Sequence, residues 1–205
     1  MHIKRLAILS LALTTALCAH AQWRSVHAAK TTVTTITKPD GQVSTTTTTS
    51  DYYRSTSGSE LTLTTMSTPS GMFVKKYAEL YDADSPAQYD IDYQTKTAYL
   101  IVRMQAPRPF MTDRTATYPG LKHSAYQGLD CVLIPVMMNG KRIGTYWVDD
   151  KDDLIVKKDV ALTYQHTVMT LSNITFGAKY NPSLFHVPAG FTVDTSRSKS
   201  VPATE

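Results

Sequence analysis

Residues 132–148 read Val-Leu-Ile-Pro-Val-Met-Met-Asn-Gly-Lys-Arg-Ile-Gly-Thr-Tyr-Trp-Val. Two β-patterned runs flank Asn139-Gly140. That pair suits a two-residue type I′ turn, in which both central residues take positive φ. The stretch predicts a β-hairpin, and the rest of the chain repeats its grammar. Downstream, Asp149 to Asp153 is an acidic turn, Leu154 to Lys158 a short strand, and Val160 to Phe176 one or two more. Upstream, residues 61–104 predict an antiparallel meander. Leu61 and Leu63 alternate with Thr62 and Thr64, and Met72, Val74, Ala78 and Leu80 share one side of the next run. Tyr89-Asp90-Ile91-Asp92-Tyr93 alternates apolar with acidic, the pattern of a half-buried strand, and Thr97 to Met104 is a further strand.

The stretch before the meander is unusual in composition. Ten threonines fall within residues 31–49, on either side of Lys38-Pro39-Asp40-Gly41. Pro presets φ and Gly accepts positive φ, so these four residues are a turn. Thr is β-branched, and the tract reads as two strands rather than a stalk. About ten strands at 8–12-residue spacing predict a mainly β fold, a curved antiparallel sheet forming an open or half barrel with few helices. Residues 105–127 break the pattern with Pro107, Pro109 and Pro119. A long irregular segment inside a compact domain is usually functional or mobile.

The chain has 205 residues, 42% hydrophobic and 19% charged, which is globular composition. Lys4 and Arg5 precede an apolar stretch from Leu6 to Cys18, and Ala19-His20-Ala21 offers small residues for cleavage. This is the layout of a secretory signal peptide over residues 1–21, cut before Gln22, and it predicts a periplasmic protein. Leu17 stands where a lipidated cysteine takes a small residue, so cleavage is preferred to lipidation of Cys18. The stretch is too short to span a membrane, and no other apolar run reaches spanning length, so no transmembrane segment is expected in the mature chain. The expected organisation is a single β-rich domain over 22–194 and a flexible tail over 195–205. Losing Lys4 and Arg5 leaves 19 basic against 17 acidic residues, a net charge of +2. The basic residues are scattered, so a nucleic-acid partner is not expected. Cys131 is then the single cysteine, set in an apolar run as a small buried hydrophobe.

The chemistry-bearing motifs are sparse. His27, His123, His166 and His186 lie at no metal-ligand spacing, and no H-E-x-x-H, P-loop, G-x-G-x-x-G or G-x-S-x-G occurs. The acidic turn lacks the Gly and Glu of a calcium loop, with Leu154 and Val160 at those positions. Ser196-Arg197-Ser198-Lys199 matches S-x-x-K but lies in a polar tail. No enzyme activity, metal or cofactor is expected. Many aromatics, among them Tyr52, Tyr53, Tyr77, Tyr99 and Tyr146, fall on strands, as core, as ordinary sheet faces or as a ligand surface.

Three stretches carry a family resemblance: Tyr89 to Ala98, Gly140 to Val148, and Asn181-Pro182-Ser183-Leu184-Phe185-His186-Val187-Pro188-Ala189-Gly190-Phe191. The last is similar to a P-x-x-F-x-x-P-x-G-F ending. Together they resemble the LolA/LolB-like periplasmic lipoprotein-localisation superfamily, in its uncharacterised exported members. The resemblance implies an open, strongly curved sheet whose apolar concave face lies under helical or loop lids and carries lipid or lipoprotein acyl chains. Lid helices are missing here, leaving residues 105–127 as the candidate cover. Two expectations follow. One is a non-catalytic periplasmic carrier for lipid or acylated lipoprotein, with Leu61, Leu63, Met72, Val74, Leu80, Ile91, Tyr93, Val132, Ile134 and Trp147 lining one apolar concavity. The other is a cell-envelope structural, interaction or sensor domain that meets envelope proteins and holds no small ligand.

Overall fold

The computed structural model describes residues 23–67, 74–104 and 120–200. The expected signal peptide, Met72, most of the expected cover (105–119) and residues 201–205 lie outside these. The strands are β1 (Val26–Thr37), β2 (Val43–Arg54), β3 (Glu60–Ser67), β4 (Val74–Asp82), β5 (Ala87–Asp92), β6 (Thr97–Arg103), β7 (His123–Tyr126), β8 (Leu129–Met138), β9 (Lys141–Asp149), β10 (Leu154–Ala161), β11 (Gln165–Phe176), β12 (Thr192–Asp194) and β13 (Lys199–Ser200). One 3₁₀ turn, Pro182–Phe185, precedes β12. No helix among the described residues is long and apolar enough to cross a membrane.

All strands join one open sheet in the order β12-β6-β5-β4-β3-β2-β1-β11-β10-β9-β8-β7, with β13 also on β6. Neighbours in the chain are neighbours in the sheet, as short hairpin turns require. The exceptions are β6 and β7, consecutive in the chain but far apart in the sheet, β12 and β13, which lie beside β6, and β1 beside β11, which joins the two halves of the meander through a register running from Val26–Phe176 to Ile36–Gln165. The expected open, mainly antiparallel sheet is the observed one. Asn139 and Gly140 take φ of 50° and 73°, as the type I′ reading demands.

Three details depart from the sequence reading. Residues 123–126, inside the stretch expected to be irregular, form β7 because the first residues of β8 offer an edge: His123 faces Val132 and Tyr126 faces Leu129. β12 and β13 run parallel to β6, since the chain crosses over after the 3₁₀ turn and returns in the direction of β6. Order also extends past the expected boundary at residue 194. Asp194 accepts the Ser196 N–H at 2.7 Å, the Arg197 guanidinium lies 3.7 Å from the centre of the Tyr99 ring, and Lys199 pairs with Val102.

The core is divided. Leu61, Leu80, Tyr89, Ile91 and Leu100 point to one face of β3–β6, and Phe185 is buried against them with Tyr180, Leu184, Val187 and Phe191 packed around it. The segment after β11 thus covers this face in place of a helix. A second cluster joins Val26, Ala28, Tyr52, Leu154, Val156, Met169 and Leu171. A third joins Val132, Ile134 and Val148. At the start of the fold, Arg24 pairs with Asp152 through Nε to Oδ1 at 2.7 Å and through a second contact, and its guanidinium lies over Phe176. This ties the entry to β1 to the β9–β10 turn. The same entry packs Trp23 on the β2–β3 turn, where Gly58 takes φ +88° and a Cβ would lie 1.8 Å from Trp23 Cζ3.

Two outcomes are expected. Truncating the buried anchor, Phe185→Ala, lowers stability by about 3–5 kcal/mol in urea unfolding; a loss below about 1 kcal/mol would mean that the segment does not hold the β3–β6 face. Gly58→Ala costs more than Gly41→Ala. Both residues have positive φ, but a Cβ at Gly41 meets nothing within 4 Å, so Gly41→Ala pays only the roughly 1–2 kcal/mol of left-handed backbone strain. Equal melting temperatures for the two variants would remove the Trp23 contact as the cause.

Candidate functional site

Side chains alternate across a strand, and the register assigns each to a face. Leu61, Leu80, Tyr89 and Leu100 form one row across β3–β6. The neighbouring residues Thr62 and Glu79 therefore point the other way, level with Tyr52 of β2. On that second face a hollow of about 290 Å³ is lined by Ile155 and Lys158 of β10, Met169 and Leu171 of β11, Lys30 of β1, Tyr52 of β2, Glu60 and Thr62 of β3, Glu79, Leu80 and Tyr81 of β4 and Gln88 of β5. Seven adjacent strands line one hollow only if the sheet curls around it, so this is the concave side.

The hollow is graded. Met169 and Leu171 make an apolar wall continuous with the second core cluster. Across from them Lys30 donates from Nζ to Thr62 Oγ1 at 3.0 Å and lies 3.6 Å from Glu79 Oε2. The Tyr52 hydroxyl donates to Glu60 Oε1 at 2.8 Å. Ser50 and Thr64 share a buried hydroxyl–hydroxyl bond of 2.7 Å just beyond. Charges and hydroxyls thus occupy the β1–β5 wall, where an acyl cavity would need apolar groups.

A second, larger hollow of about 830 Å³ sits at the end of the sheet where β1 begins and β11 ends. Trp23, Tyr180, Pro182 and Phe185 give it aromatic and apolar walls, and Ser55, Ser57, Asp84 and His186 give it polar ones. Beside it Asp82 accepts from Ser85 Oγ at 2.9 Å and lies 3.2 Å from His186 Nδ1. Burial alone would raise the Asp82 carboxyl, but bonds from Ser85, His186 and the Asp84 backbone outweigh it and hold the group below its usual range. A Ser–His–Asp relay needs the imidazole between hydroxyl and carboxylate. Here the carboxylate stands in the middle, which is structural geometry.

The ten residues expected to line one concavity do not converge. Leu61, Leu80 and Ile91 are buried under the Phe185 segment, Leu80 also bordering the smaller hollow, with Leu63 and Tyr93 packed at the segment's margin. Tyr93 meets Phe191 edge-on at 5.5 Å. Val132 and Ile134 belong to the third cluster, with Val148. Trp147 packs against the second cluster under Lys157, 4.3 Å from its ring centre. Val74 is exposed, and Met72 lies outside the described residues. The charged groups that line the hollow, Lys30, Glu60, Glu79 and Lys158, carried one signal in the sequence: each is a charged residue inside a strand pattern. Cys131 is buried, and burial, with Asp149 and Asp130 nearby, pushes its thiol up to about 11. That suits the small buried hydrophobe expected at this position. No group of three or more potential metal ligands occurs among the described residues.

No protein-family model matches the chain, and no curated protein matches it. Solved structures do. PNGF-II superposes with a TM-score of 0.47 at 7% identity over 87% of this chain, which spans 32% of that protein. A LolA superfamily protein, NE2245 from Nitrosomonas europaea, superposes with a TM-score of 0.39 at 9% identity, covering 79% of this chain and 90% of that one. MucB superposes with a TM-score of 0.36 at 12% identity, covering 85% and 61%. These are likenesses of fold alone, and LolA superfamily sheets are among them.

The Asp82 cluster gives the chain an acid dependence. A carboxyl held below its ordinary 3.8 contributes stability that is fully present above that value and lost as pH falls through the lower folded value. The melting temperature of the wild type should exceed that of Asp82→Asn at pH 7, and the gap should close as pH falls below 3.8. A gap that stays constant down to pH values on the order of 2 would exclude the linkage.

Proposed function

We propose that this chain is an exported, non-catalytic binding module of the cell envelope that holds a polypeptide segment in its concave hollow. One observation carries the reading. The apolar side chains suited to an acyl cavity are packed against the chain's own Phe185 segment or within its other clusters, while the hollow presents Lys30, Glu79, Thr62 and the Tyr52–Glu60 pair. Paired opposite charges and hydroxyls beside an apolar wall suit a backbone with mixed side chains. A bare acyl chain would strip water from those charges and hydroxyls and offer no polar group in return, which is costly.

Carriage of lipid or of an acylated lipoprotein is the second reading. The observation favouring it is the larger hollow at the sheet end, whose volume of about 830 Å³ and aromatic walls suit an apolar body. The two readings place their ligands in different hollows.

One experiment separates them. The chain is recovered from the periplasm without detergent, and its organic extract is analysed by mass spectrometry. In parallel, a photo-crosslinking residue at Gln88 is activated in cells. The expected result is an extract free of stoichiometric acyl species and a crosslinked peptide that is lost in Lys30→Glu. One phospholipid or acyl chain per protein, displaced by Tyr180→Glu and retained in Lys30→Glu, would sink the polypeptide reading in favour of the second.

A further inference from the structure

The large apolar side chains that stand exposed among the described residues are not scattered. Ile36 and Val43 flank the β1–β2 turn, Leu162 and Tyr164 form the β10–β11 turn, and Met137 and Met138 precede the β8–β9 turn. Met66 and Val74 sit at the facing ends of β3 and β4, and Val193 lies beside Ala98 at the start of β6. Their exposures run from 43% to 63%.

The register puts these positions at one end of the sheet. Thr34, Thr167, Val160, Gly144 and Val136 form one row across β1, β11, β10, β9 and β8. The three turns lie a few residues beyond that row, on the same side. β2 begins where β1 ends, and β3, antiparallel to β2, ends on that side too. The opposite end carries the acidic turns Asp82–Asp84 and Asp149–Asp153 and none of these exposed apolar residues.

Basic side chains stand among the tips. Lys38, Lys76, Lys96, Lys141 and Arg142 are exposed there, and Lys75 is half-buried, against Asp40, Asp92 and Asp159. Asp159 is already engaged by His166 at 2.8 Å. Single exposed apolar residues need no explanation, but a rim of them, bordered by cations, marks a contact surface. Apolar tips that enter the acyl boundary, with Lys and Arg at headgroup level, are the pattern of a protein lying on an anionic bilayer.

We propose that this hairpin-tip rim docks the protein on a membrane surface bearing anionic headgroups, with the strands standing roughly along the bilayer normal. The proposal goes beyond the polypeptide reading and does not rest on it. It concerns a different end of the molecule from either hollow.

The test is sedimentation of the exported chain with vesicles of phosphatidylcholine alone or with phosphatidylglycerol added. The wild type should pellet with the anionic vesicles, more weakly as salt is raised, and stay in the supernatant with phosphatidylcholine alone. Two double variants carry the same change of net charge. Lys38→Glu with Lys141→Glu, on the rim, should weaken binding by about tenfold or more; Lys151→Glu with Lys179→Glu, at the opposite end, should bind like the wild type. Met137→Asp with Met138→Asp should weaken binding to a similar degree while leaving the melting temperature unchanged. Equal loss from both charge pairs would reduce the effect to overall charge and overturn the proposal. So would a wild type that never pellets but dimerises or crosslinks to a protein through position 164, which would make the rim a protein interface.

Discussion

The packing of Phe185 against Leu61, Leu80, Tyr89, Ile91 and Leu100 is the constraint on which the rest depends. A sheet that buries apolar side chains on one face must cover that face, and helices are the usual cover. This chain covers β3–β6 with an irregular segment after β11. Asn181 starts it by accepting the Ser183 N–H at 3.0 Å, and Pro182 presets the first residue of the 3₁₀ turn. Once this segment lies across the sheet, the chain emerges beside β6 running parallel to it, which accounts for β12 and β13. The cover also removes the β3–β6 apolar face from any ligand, and that decides the chemistry of the opposite face.

That opposite face is the concave one, and its polarity follows from strict alternation. If Leu61 and Leu80 face the cover, Thr62 and Glu79 must face the hollow. Across β1, β11 and β10 the apolar residues Ala28, Leu171, Met169 and Val156 belong to the second cluster, which reaches the hollow through Met169 and Leu171. The β-bulges between His27 and Ala29 and between Ile155 and Lys157 fall in this part of the sheet, where a bulge strengthens twist and bends the strand. A single curled sheet therefore has its apolar surface on different sides in its two halves. The hollow lies where they meet, with one apolar wall and one charged wall.

Much of this was legible from short-range chemistry. The Asn139-Gly140 turn, the Pro39-Asp40-Gly41 turn and the strict alternation from Tyr89 to Tyr93 placed hairpins where they occur, because turn type and side-chain period are local. Phe185 is buried, and Leu184, Val187 and Phe191 are half-buried around it, as apolar residues set between prolines suggest. The facing of the two halves was not, since period-2 alternation marks two faces without saying which is concave. The expected liners were chosen as apolar residues on strands, and apolar residues on strands are where the core is. β7 was missed because four residues carry no period, and its existence depends on the edge that β8 offers. The tail beyond Asp194 was read as loose from its polarity. Its order comes from Arg197 over Tyr99 and from main-chain pairing with β6, neither of which needs apolar residues.

The long threonine hairpin has a role in this geometry. Thr49 to Val43 of β2 continues past Ser50–Thr64, the pair at which its register with β3 stops, while its pairing with β1 runs on to Thr37–Val43. A strand with one paired edge is held by main-chain bonds and by side chains that tolerate water on both sides. Thr meets both needs: its β-branch favours the extended backbone, and its hydroxyl remains solvated or pairs across the strands, as Thr35 and Thr45 do at 3.2 Å. Apolar residues along the whole hairpin would have made an aggregation-prone edge. Thr through the shaft, with Ile36 and Val43 kept for the tip, lets the hairpin project without a core of its own and concentrates its apolar surface at the end level with Tyr164 and Met138.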